Sequence, residues 1–280
     1  MSAEDDKYPT SSGRRRFVKG VVGSAGLAAV GATTAVSVDS ATQRTGTGGG
    51  TTEFFAIENT DGPAPRGMPV IPLKIDDEGY IQGVYPEVKT VERGGEEIEV
   101  AEQDLGGISY SSDWFQYCGI QSYQGIYPGY EGDNYLRHPS DPTYDWQGDF
   151  AGARINISDF EDYETWNNDI GTAGLGKPAS ATWRSQDTEN SIPVQVLRST
   201  RVEELAENLD GDAGEFFREA TSQGAIAWLN KCTHFCCVPG FKISTYENAD
   251  NRVYCPCHQS IYNPFSIVKR AFVAYPRPDQ

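Results

Sequence analysis

Residues 232–237 read Cys-Thr-His-Phe-Cys-Cys, and residues 255–260 read Cys-Pro-Cys-His-Gln-Ser. Each hexad opens on a cysteine and carries one histidine, as C-x-H in the first and C-x-x-H in the second. Two thiolates and two imidazoles are a competent ligand set for zinc or for a mixed-ligand iron–sulfur centre. Zinc fingers usually keep their cysteines in one pair and their histidines in another. Here each half supplies one of each, so the sulfurs can gather on one metal and the nitrogens on a second. That suits a two-metal cluster better than a single tetrahedral ion. The haem-attachment pattern C-x-x-C-H is absent, because only Pro256 separates Cys255 from Cys257. Five of the six cysteines and two of the three histidines lie between Cys232 and His258, so the chemistry concentrates there.

The chain has 280 residues, enough for one large domain or two small ones. Forty Asp+Glu against 23 Lys+Arg give a net charge of −17, which argues against general nucleic-acid binding, since that needs a basic face. Only eight of the cations are lysine. An acid-rich, lysine-poor surface suits very high salt and hence a halophilic source, and equally suits an ordinary acidic secreted protein.

CTHFCC and CPCHQS resemble the two cluster-binding loops of Rieske 2Fe-2S proteins, whose usual forms are CTHLGC and CPCHGS. The resemblance covers roughly residues 225–265. It implies one 2Fe-2S cluster per chain, with Cys232 and Cys255 on the inner iron and His234 and His258 on the outer, redox-active one. It also implies a disulfide between Cys237 and Cys257. Rieske oxygenases lack that pair, so the likeness is to the electron-transfer branch of the cytochrome bc-complex type. Ser260 and Tyr262 stand where high-potential members place two hydroxyls, one donating to a bridging sulfide and one to a ligand sulfur. Donors aimed at sulfur stabilise the reduced centre and raise its potential.

The sequence departs from that pattern at several points. Phe235 replaces a leucine, Cys236 replaces a glycine, and the segment between the loops is a few residues longer. Cys118 is the one other unassigned cysteine, which leaves a Cys118–Cys236 bridge open. A Gly-x-Ala-Pro loop after the second hexad is missing, and Pro264 is the nearest candidate to cover the cluster. The Gly-Pro-Ala-Pro at Gly62–Pro65 lies far upstream and reads as coincidence.

At the N-terminus, Gly-Arg-Arg-Arg-Phe-Val-Lys at 13–19 precedes an uncharged apolar stretch, Val21 to Val38. Arg14 and Arg15 with the residues after them resemble the twin-arginine export signal. As a helix the stretch is about 27 Å long, just enough to span a bilayer. It reads as a retained membrane helix, with cleavage near Ala35–Ser37 as the alternative. Ser40 to Thr52 is rich in Gly and Thr and reads as a flexible tether.

Beyond it, short strand-like runs recur at Val70–Ile75, Ile98–Val100, Pro193–Leu197 and Gly224–Leu229. One helix is expected, opened by a capping box of Thr200 and Glu203, with Val202, Leu205 and Leu209 on one face before Gly211. The Tyr- and Gly-rich residues 106–150 read as loop-rich β packing, and Ala271–Tyr275 as a closing strand. Gly171–Lys177 mimics a phosphate loop until Pro178 stands where a magnesium-binding hydroxyl belongs. Asn156 heads a glycosylation sequon of little weight.

The expected fold is mainly β: a Rieske-type β-sandwich with a small cluster-binding subdomain and an N-terminal membrane helix. The expected boundaries are 1–39 for signal and anchor, 40–52 for the tether, and 53–224 for a base domain with a large insertion. The cluster-binding subdomain takes 225–266, and the closing strand and tail take 267–280.

The resemblance implies the Rieske subunit of a quinol-oxidising cytochrome bc-type respiratory complex. Such a subunit takes one electron, with a proton, from quinol and passes it to a cytochrome or copper protein. Its partners are then a cytochrome b-type membrane subunit, quinol and that acceptor. Turnover belongs to the complex, and the head sits on the extracytoplasmic face of the cell membrane. Two alternatives remain open: a small Rieske subunit of an exported molybdenum oxidoreductase of the arsenite oxidase type or of a nitrate-respiration complex, and a non-redox zinc module.

Overall fold

The structure is a computed structural model and describes residues 50–93 and 95–274. The signal and anchor expected at 1–39, residues 40–49 of the tether and residues 275–280 lie outside the described residues. No helix among the described residues is long and apolar enough to cross a membrane.

The chain is mainly β. Its first half supplies β1 (Gly50–Asp61), β2 (Met68–Ile71), β3 (Leu73–Ile75), β4 (Ile81–Gly83), β5 (Val88–Arg93), β6 (Glu96–Leu105) and β7 (Ile108–Ser111). The second half supplies β8 (Lys177–Trp183), β9 (Ile192–Arg198), helices α1 (Thr200–Asn208) and α2 (Gly211–Ala220), then β10 (Ala225–Leu229), β11 (Gly240–Phe241), β12 (Val253–Cys255) and β13 (Ser260–Ala274). Eight strands form one nearly closed antiparallel sheet, in the order β11-β12-β13-β1-β2-β10-β9-β8. β3 with β4, and β5 with β6 and β7, make two small sheets beside it.

β1 is the spine. Consecutive residues of a strand face opposite sides, yet Phe54 and Phe55 are both buried, so this part of the sheet is covered on both faces. Phe55 stacks on Phe216 of α2 with ring centroids 4.8 Å apart. On the other side Phe54 meets Trp114 and Phe272 edge-on, at 6.3 and 5.5 Å. Each such ring contributes about 1.5–3 kcal/mol on burial. β10, Ala-Ile-Ala-Trp-Leu, is buried along its whole length, as a central strand should be.

Several expectations shift in the structure. The run Val70–Ile75 is two strands, broken at Pro72, which has no N–H to give to a ladder. The helix at 200–208 is capped by Ser199, whose Oγ accepts from the Arg201 N–H at 3.2 Å, so Thr200 lies inside the first turn rather than at the cap. α2 was not expected, because Gly211 reads as a stop. It adopts φ +68 at the helix's start, and Ala213, Phe216, Phe217 and Ala220 then make an apolar face of helical spacing. The closing strand is longer than expected, running unbroken from Ser260 across the 266/267 boundary. β1 already includes residues 50–52 of the expected tether, with Thr52 opposite Phe272.

Residues 112–150 follow β7 as a series of 3-10 turns. Their tyrosines pack inward: the Tyr144 hydroxyl donates to the Phe241 carbonyl at 3.0 Å. Tyr110, in β7, donates likewise to Val84 at 2.6 Å. Lys177 is tied to the Asp159 carbonyl and the Asp162 carboxylate, both at 2.7 Å, so it serves packing rather than phosphate. Asn156 caps a short turn through the Ser158 N–H at 3.0 Å.

Candidate metal centre

The second hexad is the turn of a hairpin. β12 ends on Cys255 and β13 begins at Ser260, and these two residues pair. The first hexad leaves β10 through residues 230 and 231. Both close in the same way, with the fifth residue's N–H returning to the carbonyl of the first. Cys236 reaches Cys232 at 3.0 Å, and Gln259 reaches Cys255 at 2.9 Å. In both the fifth residue is left-handed, with φ +64 at Cys236 and +62 at Gln259. That conformation costs a residue with a Cβ about 1–2 kcal/mol. Glycine suits both places, which explains the glycine of CTHLGC and of CPCHGS.

These matched turns bring Cys232 and Cys255 together, each 1 % exposed and neither in a disulfide. The Cys255 thiol donates to Cys232, and this is the largest influence holding the Cys232 thiol well below its ordinary pKa against the opposing effect of burial. The Tyr262 and Ser260 hydroxyls and the His234 N–H add to it. The same contact raises Cys255. Tyr262 donates to the Cys232 sulfur at 3.2 Å and accepts from the Thr233 N–H at 3.2 Å. Burial, then the neighbouring sulfur, pushes its phenol up, so it remains a donor at neutral pH. Ser260, fully buried, accepts from the Ala64 N–H at 3.2 Å. Each hydroxyl is thus polarised from behind by a backbone N–H, and such chains strengthen the final bond.

His234 and His258 lie with ring centroids 4.8 Å apart at 81°. The Nδ1 of His234 is buried without a hydrogen-bond partner, while the His258 residue is exposed. A buried polar atom left unpaired costs about 1–3 kcal/mol, so this nitrogen is one that could bind a metal. Phe235, 65 % exposed, lies against both rings at 4.3 and 5.1 Å.

Two disulfides hold the first loop. Cys237–Cys257 joins it to the second, with Cα atoms 6.6 Å apart, and Cys118–Cys236 joins it to the turns after β7, at 5.4 Å. The sulfurs of Cys237, Cys255 and Cys257 all lie within 4.8 Å of one another. Two of them are bonded to each other, so this trio is a bridge packed against a free thiol rather than a separate ligand set.

A third segment completes the site. The loop after β1 brings Ala64 to Ser260, and the Arg66 carbonyl accepts from the Thr233 hydroxyl at 2.6 Å. Gly62 sits at φ +81, where a Cβ would come 2.6 Å from the Gln259 carbonyl oxygen, so only glycine fits. Gly62–Pro65, taken from sequence as a coincidence, therefore lies against the second loop, with Arg66 touching the first. Pro264 instead falls in a bulge of β13, between the pairs Glu58–Asn263 and Ile57–Ile267. Cys232 and Cys255 meet with Ser260 and Tyr262 about them, His234 faces His258 and Cys237 is bonded to Cys257, while Thr233, Ala64 and Arg66 join unforeseen. No local signal marks the last two, since their approach depends on the pairing of β1 with β13.

Comparisons of the chain with protein-family models, with curated proteins and with solved structures return no match.

Proposed function

We propose that the chain is the Rieske-type iron–sulfur subunit of a quinol-oxidising cytochrome bc-type complex, an electron-transfer partner rather than an enzyme by itself. The observation that carries this reading is the donor set: two buried free thiols in contact, beside a facing imidazole pair with a partnerless buried nitrogen. These residues fit a 2Fe-2S cluster, with Cys232 and Cys255 on the inner iron and His234 and His258 on the outer. Strands β1, β2, β8 and β9 of the sheet would then belong to the base of a Rieske-type sandwich, and residues 225–266, which add β10, β11, β12 and the start of β13 to the same sheet, to its cluster-binding subdomain. When bound, such a cluster supplies one-electron chemistry at a tunable potential.

The chain's own residues do the rest. Buried Cys232 and Cys255 keep the inner side dry. Tyr262 and Ser260 direct hydroxyl protons to sulfur. The exposed His258 can offer a ring N–H to a docked hydroxyl or quinol oxygen, holding or releasing the proton that accompanies the electron. Two disulfides suit an oxidising compartment, and Arg14–Arg15 suits export by the twin-arginine route to the outer face of the cell membrane.

The test is a potentiometric titration of the purified chain followed by EPR at several pH values. Metal-bound imidazole loses its outer N–H more readily in the oxidised state, so the midpoint potential should be flat at low pH. It should then fall as pH rises through that deprotonation. A rhombic signal with a high, falling potential is expected. A cluster with a low, pH-independent potential would overturn quinol oxidation, and zinc without acid-labile sulfide would overturn the cluster. Copurification of a large molybdenum subunit in place of b-type haem would move the assignment to the molybdenum oxidoreductase alternative.

Tyr262→Phe removes one donor to sulfur and keeps the ring. It should lower the midpoint potential by on the order of 60 mV, tenfold in the reduced-to-oxidised ratio. An unchanged potential would remove Tyr262 from its role.

A further inference from the structure

The 62–66 loop ends on a cation whose surroundings the site so far leaves unexplained. The Arg66 guanidinium lies over three aromatic rings: Phe272 at 4.4 Å, Tyr117 at 5.1 Å and Phe54 at 5.6 Å. Among the described residues no carboxylate forms an ion pair with it, although the chain has forty Asp and Glu. Cation–π contact can hold a half-buried guanidinium without an anion, and guanidinium does not lose its proton at accessible pH. Among the described residues, therefore, no ion pair offsets this positive charge.

Arg66 is also fastened to both neighbours of Cys232. Its carbonyl accepts from the Thr233 hydroxyl at 2.6 Å, just after that cysteine. Tyr117, one of its three rings, donates to the Lys231 carbonyl at 3.0 Å, just before it. Tyr117 thus links the guanidinium to the backbone just before Cys232.

We infer that the Arg66 guanidinium is a potential-setting charge for the centre held by Cys232, favouring its reduced state. The inference rests on the proposed function: at a pH below the oxidised centre's imidazole deprotonation, one electron arrives from quinol while its proton leaves to solvent, so the site becomes more negative by one charge. A nearby cation is attracted to that added charge and so raises the potential. The rings cover part of the guanidinium and so weaken its screening by water and counterions.

The experiment compares the wild-type chain with Arg66→Met, Arg66→Gln and Arg66→Lys by EPR-monitored titration at one pH and two salt concentrations. Both neutral variants should keep the EPR line shape while the reduced-to-oxidised ratio at a fixed potential drops about tenfold, or 59 mV for one electron. Lysine should restore most of that loss, and the difference should persist at high salt. Neutral variants with the wild-type potential would overturn the inference. So would a lysine variant that falls as far as methionine, since planar packing rather than charge would then be the cause. Loss of the cluster from both neutral variants alone would overturn it too, by making Arg66 an assembly residue. Absence of a Rieske-type signal from the wild-type chain would instead bring down the proposed function itself.

Discussion

Cys232→Ala and Cys255→Ala proteins are expected to purify folded but without iron, acid-labile sulfide or a rhombic EPR signal, whereas Cys118→Ser keeps all three. The loss should be complete rather than graded. Cys232 and Cys255 are the two free cysteines, and each is buried where no water can replace a thiolate. Cys237 and Cys257 lie within 4.8 Å of Cys255, yet their sulfurs are already bonded to each other. Folding should survive, because the packing of Phe54, Phe55, Trp114 and Phe216 belongs to β1, α2 and the turn after β7 rather than to the ligand loops. Iron and sulfide analysis with far-UV circular dichroism reads both halves of the expectation. A folded Cys255→Ala protein that retained two irons and two sulfides would remove Cys255 from the ligand set.

The second large effect concerns stability. The Cys118–Cys236 bridge spans 118 residues of sequence. A cross-link closing a loop of that order stabilises by about 4–5 kcal/mol in the chain-entropy account, against about 3 kcal/mol for a short loop such as that of Cys237–Cys257. The Cys118→Ser/Cys236→Ser protein should therefore unfold roughly 10–20 °C lower than the wild type. Cys236 also sits at φ +64. Putting glycine there with Cys118→Ser should recover about 1 kcal/mol of the loss, since glycine adopts that conformation without strain. Unfolding of the three proteins under non-reducing conditions tests both numbers. Equal midpoints would mean that the long bridge adds nothing to the native state.

What the sequence made readable, and what it left hidden, follows the range of the interactions involved. The proposed ligand set lies in two hexads, and the chemistry of thiolate and imidazole needs no tertiary information to suggest it. The Cys118–Cys236 bridge was an open option from cysteine count alone, because nothing near Cys118 points to residue 236. The 62–66 loop was misread for the same reason. Its approach to Ser260 spans 196 residues and follows from the register of β1 on β13. α2 was missed on a local signal that pointed the wrong way. A glycine after one helix reads as its end, yet here it opens the next, and only the packing of Phe216 on Phe55 makes that choice favourable. The 3-10 turns of residues 112–126 have no period of 2 or 3.6 to detect, although Tyr117 within them reaches the ligand loop.

The β1–β13 ladder runs from the pair Gly50–Ala274 to the pair Asp61–Ile261, one residue from Ser260. The pair Gly50–Ala274 thus lies at one extremity of this ladder, and the hairpin turn of residues 255–260 at the other. At the rise of a β-strand the two extremities are roughly 35 Å apart. The pair is a lever arm with its handle at Gly50 and its working tip at His258. Turning the arm by roughly 60° about the handle sweeps the tip through roughly 35 Å, with no change inside the sheet. Under the proposed function, such a turn at one end of the strand pair would carry the imidazoles between docking partners.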